Sequence, residues 1–232
     1  YALETSVFCM SAIQGWEMQK RNLVRKLRVD TNSLDGALPI NLTQLIFGGS
    51  FDQRLSEDML PIKLKVLNFG PWFNQPLDVN VLPPGLKELT FGRNFNRSLS
   101  EVVLPESLET LLFGNMYDRP LREIVLPANL KRLTLGGRVN QPLSEKLLPE
   151  NLEQPLRENV LPASLEQVIF GFQFNQPLDE KVLPVNLKEL TFGYRFNQPL
   201  SEGAVPATLT KLSLRSRYSH SLNLPHVEIQ YT

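Results

Sequence analysis

The sequence is poor in the residues that usually build catalytic, metal-binding and cross-linked sites. Among its 232 residues there is one cysteine, Cys9, and there are two histidines, His220 and His226. One cysteine excludes an intrachain disulfide and favours a reducing, cytoplasmic compartment. The two histidines lack the spacing of a metal site, and no phosphate-binding loop or nucleophile elbow is present. We therefore expect no enzyme activity, no cofactor and no metal.

An excess of charge and long apolar runs are also missing. The 24 basic and 24 acidic residues cancel, so the chain has no general attraction to nucleic acid or to an anionic membrane. No apolar run approaches the length of a membrane span, and no N-terminal stretch has the order of a signal peptide. Because the chain begins with Tyr1, we expect a fragment or a processed product.

What the sequence does contain is a block of 22 residues that returns along most of its length. The block reads Leu-Pro-x-x-Leu-x-x-Leu-x-Phe-Gly-x-x-Phe-Asn-Gln-Pro-Leu, followed by four or five mostly polar residues. Its last five motif residues are intact at 73–77, 174–178 and 196–200. A fixed period of this length is typical of a solenoid, in which each repeat forms one coil that stacks on the next.

Each position of the block predicts one element of a coil. Leu-x-x-Leu-x-Phe, as in Leu64, Leu67 and Phe69, predicts a short strand, and stacked coils would pair these strands in a parallel sheet. The glycine allows a positive φ angle and a close approach of coils, and the Asn oxygen can accept a bond from a turn N–H. The prolines disfavour helix. The predicted fold is mainly β, a leucine-rich-repeat-like solenoid with a parallel sheet on one face, extended or polyproline segments on the other, and little helix.

The period also divides the chain. Residues 1–21 are predicted to form an N-terminal cap with a short helix from Ser11 to Met18, and residues 215–232 a C-terminal cap. Repeats fill 22–149 and 162–214. The prolines Pro149 and Pro162 are only 13 residues apart, because the coil between them lacks the stretch that would carry Phe-Gly and Phe-Asn. Residues 150–161 are therefore either a truncated coil, with a fault in the solenoid, or the place of a gap in the sequence.

The repeated motifs resemble those of the FNIP repeat family. Leu-Pro, Leu-x-x-Leu-x-Phe-Gly and Phe-Asn-Gln-Pro-Leu recur at one spacing over about residues 22–225. That family resembles leucine-rich repeats in architecture, and many of its members carry an F-box ahead of the repeats. The resemblance implies protein–protein recognition, including the substrate-binding part of a ubiquitin-ligase adaptor, although residues 1–21 show no F-box.

Two rows of positions are free of the structural demands of the repeat. The first row consists of the outward-facing strand positions, where some residues are apolar although the repeat does not require it. The pairs after each glycine mix aromatic and basic residues, which are enriched at binding hot spots. We predict a partner-binding surface built from Trp72, Arg93, Arg138, Phe172, Tyr194, Arg195, Ile46, Leu112 and Ile169.

Two other functions are open at the level of the sequence. A solenoid can bind a regular ligand such as ice or a glycan, and here Thr90, Thr134 and Thr191 share one outward slot, but Leu112 and Ile169 interrupt it. A solenoid can also be a spacer with no specific partner. The expected partner is another protein, with no nucleic acid and no membrane, and the chain is expected to be a monomer or to self-associate weakly.

Overall fold

A single sheet of short parallel strands runs through the described part of the chain. The computed structural model describes residues 7–34, 36–143 and 160–232, and within them eleven strands pair in chain order. The parallel solenoid predicted from the repeat is therefore confirmed. The strands are β1 Val7–Cys9, β2 Lys26–Val29, β3 Gln44–Phe47, β4 Val66–Asn68, β5 Glu88–Thr90, β6 Thr110–Leu112, β7 Arg132–Thr134, β8 Gln167–Ile169, β9 Glu189–Thr191, β10 Lys211–Leu214 and β11 Glu228–Tyr231.

Within the described residues, helix is confined to single turns. Two α-helical turns, α1 (Met10–Ile13) and α2 (Met18–Arg21), lie in the N-terminal segment, and two 3-10 turns, η1 (Leu121–Glu123) and η2 (Glu202–Ala204), lie between coils. The structure thus has two short turns where the sequence predicts one helix from Ser11 to Met18. The Ser11 hydroxyl does not cap a helix but donates to Asp30 at 2.8 Å, and this bond lowers the pKa of the Asp30 carboxyl.

The core consists of columns of identical side chains. In β2 to β10 the central leucine, or Val168 in β8, is buried, and so is the residue two positions later, which is phenylalanine in most coils. The aromatic residues of the following turn are buried too. Phe69 stacks on Phe73 of the same coil at 4.0 Å and on Phe91 of the next coil at 5.6 Å, both measured between ring centroids. Leu135 and Val139 replace both aromatic residues in one coil, so the rings do not stack there. Burial of these columns is the main driving force for stacking the coils.

The glycine after each strand is required by close backbone contact. A Cβ atom on Gly92 would lie 1.9 Å from the carbonyl oxygen of Gly70, and one on Gly114 would lie 2.0 Å from that of Gly92. Among the described glycines only Gly36 has a positive φ angle. The sequence predicted either a close approach of coils or a positive φ angle at this glycine. The structure confirms the close approach, and these glycines do not have a positive φ angle. The glycines whose added Cβ would meet the previous glycine's oxygen at 2.0 Å or less are Gly70, Gly92, Gly114, Gly171 and Gly193.

The asparagine slot forms a ladder of side-chain to backbone hydrogen bonds. The Asn74 side-chain oxygen accepts from the Asn96 N–H at 3.0 Å, and the Asn96 side-chain oxygen accepts from the Asp118 N–H at 3.1 Å. The predicted acceptor role is confirmed, and the donor belongs to the next coil. Since only an oxygen is needed, Asp can stand in for Asn, as Asp52 does below Asn74.

The stack continues past the short repeat. Residues 144–159, which include most of the truncated coil predicted at 150–161, lie outside the described residues. Strand β8 pairs directly with β7, with Leu133 opposite Val168. The Asn175 N–H donates to the Asn140 side-chain oxygen at 2.8 Å, as in the other coils. The predicted fault therefore does not extend to the sheet or to the asparagine ladder.

Ion pairs join successive coils just before the strands. Glu109 precedes β6 and lies between Lys87 and Lys131, the residues that precede β5 and β7. The Lys87 ammonium donates to one carboxylate oxygen, and the Lys131 ammonium lies 3.0 Å from the other. These two bonds lower the pKa of Glu109 to about 2, and the bond from Lys87 makes the larger contribution.

We predict that Gly92→Ala destabilises the protein by about 3 kcal/mol, the upper end of typical overpacking, because the added methyl group meets rigid backbone rather than a side chain. The control is Gly49→Ala, whose new Cβ has no atom within 4 Å. That variant should change the free energy of unfolding by less than about 0.5 kcal/mol. Urea denaturation measures both, and equal midpoints for the two variants would contradict close packing at the glycine column.

We also predict that Glu109 titrates near pH 2 and that Lys87→Met with Lys131→Met moves its pKa toward the ordinary 4.5. Because the folded pKa is the lower one, the ionised carboxylate stabilises the fold fully above about pH 4.5, and this contribution is lost as pH falls toward 2. Carboxyl chemical shifts followed by NMR between pH 2 and 6 measure the pKa. An unchanged titration curve in the double variant would show that the lysines do not hold the carboxylate.

Candidate functional site

The pairs of residues after the glycines form a row along the edge of the sheet where the strands end. This post-glycine row comprises residues 71–72, 93–94, 115–116, 137–138, 172–173 and 194–195, together with 216–217, which follow Arg215 in the place of the glycine. In several coils the second N–H of the pair donates to the first carbonyl of the previous coil, as from Met116 to Arg93 at 2.9 Å and from Arg195 to Phe172 at 3.1 Å. Hydrogen bonding thus fixes the backbone of the row.

An exposed aromatic stack lies at the C-terminal part of this row. The rings of Phe172 and Tyr194 are parallel to within 4°, with centroids 5.0 Å apart. Phe172 is 49% exposed and Tyr194 is 38% exposed. The Arg217 guanidinium lies over the Tyr194 ring, 4.2 Å from its centroid. Sequence reasoning missed Arg217, because Arg215 replaces the glycine of this coil and the segment reads as a cap. Arg217 lies directly before Tyr218 of the aromatic slot, just as Arg195 lies directly before Phe196, and this position could have identified it from the sequence.

The other predicted apolar and aromatic residues do not join this stack. Trp72 is 65% exposed but follows β4, four strands from the β8 that precedes Phe172, which corresponds to about 19 Å along the sheet. Ile46, Leu112 and Ile169 are half-buried on the outward face, and the sheet register places polar residues between them. The predicted surface is therefore a long strip rather than one cluster.

The arginines of the row are exposed and regularly placed. Arg93 follows β5 in the first slot after its glycine, whereas Arg138 after β7 and Arg195 after β9 occupy the second slot, two coils apart. No ion pair joins them to a carboxylate among the residues that the structure describes. By contrast, Arg97 and Arg119 occupy the slot in which most repeats have glutamine. Their Nε atoms donate to the backbone carbonyls of Asn74 and Asn96.

Charge is sorted between the two edges of the solenoid, although the chain as a whole is neutral. We call the segments from each glycine, or from Arg215 in its place, to the residue after Asn the turn edge. The segments from the leucine of Pro-Leu to the first leucine of the next Leu-x-x-Leu form the back edge. The charged residues of the turn edge are Arg93, Arg97, Arg119, Arg138, Arg195, Arg215, Arg217, Asp52 and Asp118. Those of the described back edge include Glu57, Asp58, Asp78, Glu101, Glu106, Glu123, Asp179 and Glu180, against Lys63, Arg122 and Lys181. The turn edge is thus basic and the back edge acidic.

Other features of the described residues do not build a reactive site. They contain no cluster of three metal-ligating side chains and no helix long and apolar enough to cross a membrane. A groove of about 650 Å³ lies on the back edge between residues 34 and 84, lined mainly by apolar residues such as Leu38, Met59 and Ile62. Burial raises the pKa of Tyr117 and Tyr218, so these two members of the aromatic column carry no charge.

Comparisons with known proteins agree with this architecture. The chain is similar to CroV588, whose crystal structure is described as a novel circular LRR protein structure, with 33% sequence identity and a TM-score of 0.56. The similarity covers 90% of this chain and 37% of that one, so this chain spans little more than a third of the length of CroV588. Comparison with curated proteins finds no match. The FNIP repeat model matches residues 32–71, 73–116, 117–154 and 174–216, which is well over half of the chain, and the protein therefore belongs to the FNIP repeat family.

Proposed function

We propose that this solenoid is a protein recognition module and that the post-glycine row is its binding surface. The observation that carries the proposal is the exposed stack of Phe172, Tyr194 and Arg217. The repeat does not require aromatic residues there, since other coils carry Asn115 or Gly137 in the same slot. Tyr, Trp and Arg dominate the binding energy of protein interfaces because they combine large apolar area with polar contacts.

The row offers what a binding surface needs. Its backbone is held by hydrogen bonds between coils, so little conformational entropy is lost on binding. Its side chains vary from coil to coil, unlike the columns beneath them. The neighbouring outward strand slot runs Ile46, Asn68, Thr90, Leu112 and Thr134 in register, which is too irregular to match a repeating lattice. This irregularity favours a specific protein over ice or a regular glycan.

A narrower role follows from the family. Many members of the FNIP repeat family carry an F-box ahead of the repeats, and in that setting this solenoid would be the substrate-binding part of a ubiquitin-ligase adaptor. We propose this role on the family resemblance alone. We further propose that the protein acts in the cytoplasm and binds its partner without catalysing a reaction.

The test compares two sets of alanine substitutions. The first changes Trp72, Arg138, Phe172 and Tyr194 in the row. The second, as control, changes Ile62, Val103 and Val185, which are exposed by 71%, 63% and 67% on the back edge. Both sets alter exposed side chains, so each variant should keep the melting temperature of the original to within a few degrees.

Affinity purification from the native or host cell, with mass spectrometry, should recover a stoichiometric partner with the original protein and with the control. The row variant should lose it, with an affinity at least tenfold lower once the partner is purified, since truncation of even one hot-spot residue costs about 2 kcal/mol. A partner retained by the row variant and lost by the control would contradict the assignment of the row.

A further inference from the structure

The arginines of the post-glycine row point to the chemistry of the partner. Arg93, Arg138 and Arg195 are exposed, and no carboxylate of the described chain pairs with them. Neither the post-glycine row nor the last outward slot of strands β3 to β10 contains Asp or Glu. A strip of guanidinium groups that no carboxylate pairs with is complementary to the carboxylates of a partner, which arginine binds in a bidentate manner.

The spacing of these arginines indicates how the carboxylates are arranged. Neighbouring strands of a sheet lie about 4.8 Å apart. Arg138 and Arg195 occupy the same slot, the second after the glycine, and they are about 9.6 Å apart because β7 pairs directly with β8 and β8 with β9. Arg93 lies two coils before Arg138, in the first slot after its glycine. One turn of polyproline II contains three residues and rises about 9.3 Å, so every third side chain lies on the same face. Acidic residues at every third position of a polyproline II segment therefore match Arg138 and Arg195, and Arg93 lies further along the same strip.

The aromatic stack lies within the same strip and provides its apolar part. Phe172 follows β8, between the coils of Arg138 and Arg195, and Tyr194 immediately precedes Arg195. A proline or aliphatic side chain between two acidic residues would reach these rings. The Arg217 guanidinium lies 4.2 Å from the centroid of the Tyr194 ring, and Arg217 is exposed, so a further carboxylate can reach its N–H groups.

We propose that the post-glycine row binds an acidic, extended segment of the partner protein, laid across the coils with a carboxylate at every third residue. This inference rests on the proposed function and adds the class of ligand. A nucleic acid is the less suitable polyanion, because the chain has no net positive charge and its back edge is acidic.

The proposal is tested with labelled synthetic peptides and fluorescence anisotropy. The probe repeats Glu-Pro-Ala four times, which places a carboxylate at every third residue. One control peptide has Gln in place of Glu, and another has the composition of the probe with its four Glu residues adjacent. The probe should bind at least fivefold more tightly than either control, and binding should weaken as salt is raised.

Protein variants then locate the contact. The triple change Arg93→Gln, Arg138→Gln and Arg195→Gln should weaken probe binding by roughly tenfold to a hundredfold, as expected for three exposed charge pairs. The charge-matched control changes Lys63, Arg122 and Lys181 to Gln on the back edge, where all three are exposed, and should leave affinity unchanged.

Several results would overturn the acidic-segment proposal. They are no binding of the probe, equal binding of the two acidic peptides, equal loss in both triple variants, or tighter arginine-dependent binding of an oligothymidine. The alanine variant of the row separates this failure from that of the proposed function. If that variant loses its natural partner while the arginine variant keeps it, the row is a recognition surface whose ligand is not acidic.

Discussion

The contact between the glycine columns of successive coils fixes the geometry of the whole solenoid. The carbonyl oxygen of one glycine fills the space that a Cβ atom of the next would need, at 1.9 Å for Gly70 and Gly92. This contact sets the distance and the phase between coils just after the strand. Because the coils joined by this contact share that phase, Phe69 stacks on Phe91 and Asn74 accepts from the N–H of Asn96.

Because equivalent residues of successive coils lie directly above one another, each coil makes several kinds of contact with the coil before it and the coil after it. Hydrophobic burial, ring stacking and backbone hydrogen bonds all depend on the same spacing, so a change at one column disturbs the others. The glutamine slot belongs to this system, since its side chain or that of Arg97 donates to a carbonyl of the previous coil. Coils vary most at positions that face neither the core nor a neighbouring coil.

The period of the sequence was enough to predict the strands, the buried columns and the acceptor role of asparagine, because each depends on one repeated local pattern. It could not separate positive φ from close approach at the glycines, which requires the position of the neighbouring coil. It placed one helix at Ser11 to Met18, whereas Ser11 bonds to Asp30, a contact 19 residues away. Of the candidate site, the exposed Phe172 and Tyr194 could be named, but the stacking of Arg217 on Tyr194 could not, since it joins different coils.

The same reasoning separates functional from structural arginines. By composition alone, Arg93, Arg97 and Arg119 all belong to the basic turn edge. Arg97 and Arg119 occupy the glutamine slot, and their Nε atoms are used by carbonyls of the preceding coil. Arg93 lies four residues before Arg97 in a slot that the repeat leaves free. Phase within the coil, rather than charge or exposure, therefore decides which cations are available to a partner, and the zero net charge of the chain hides a surface that is basic where the free slots are.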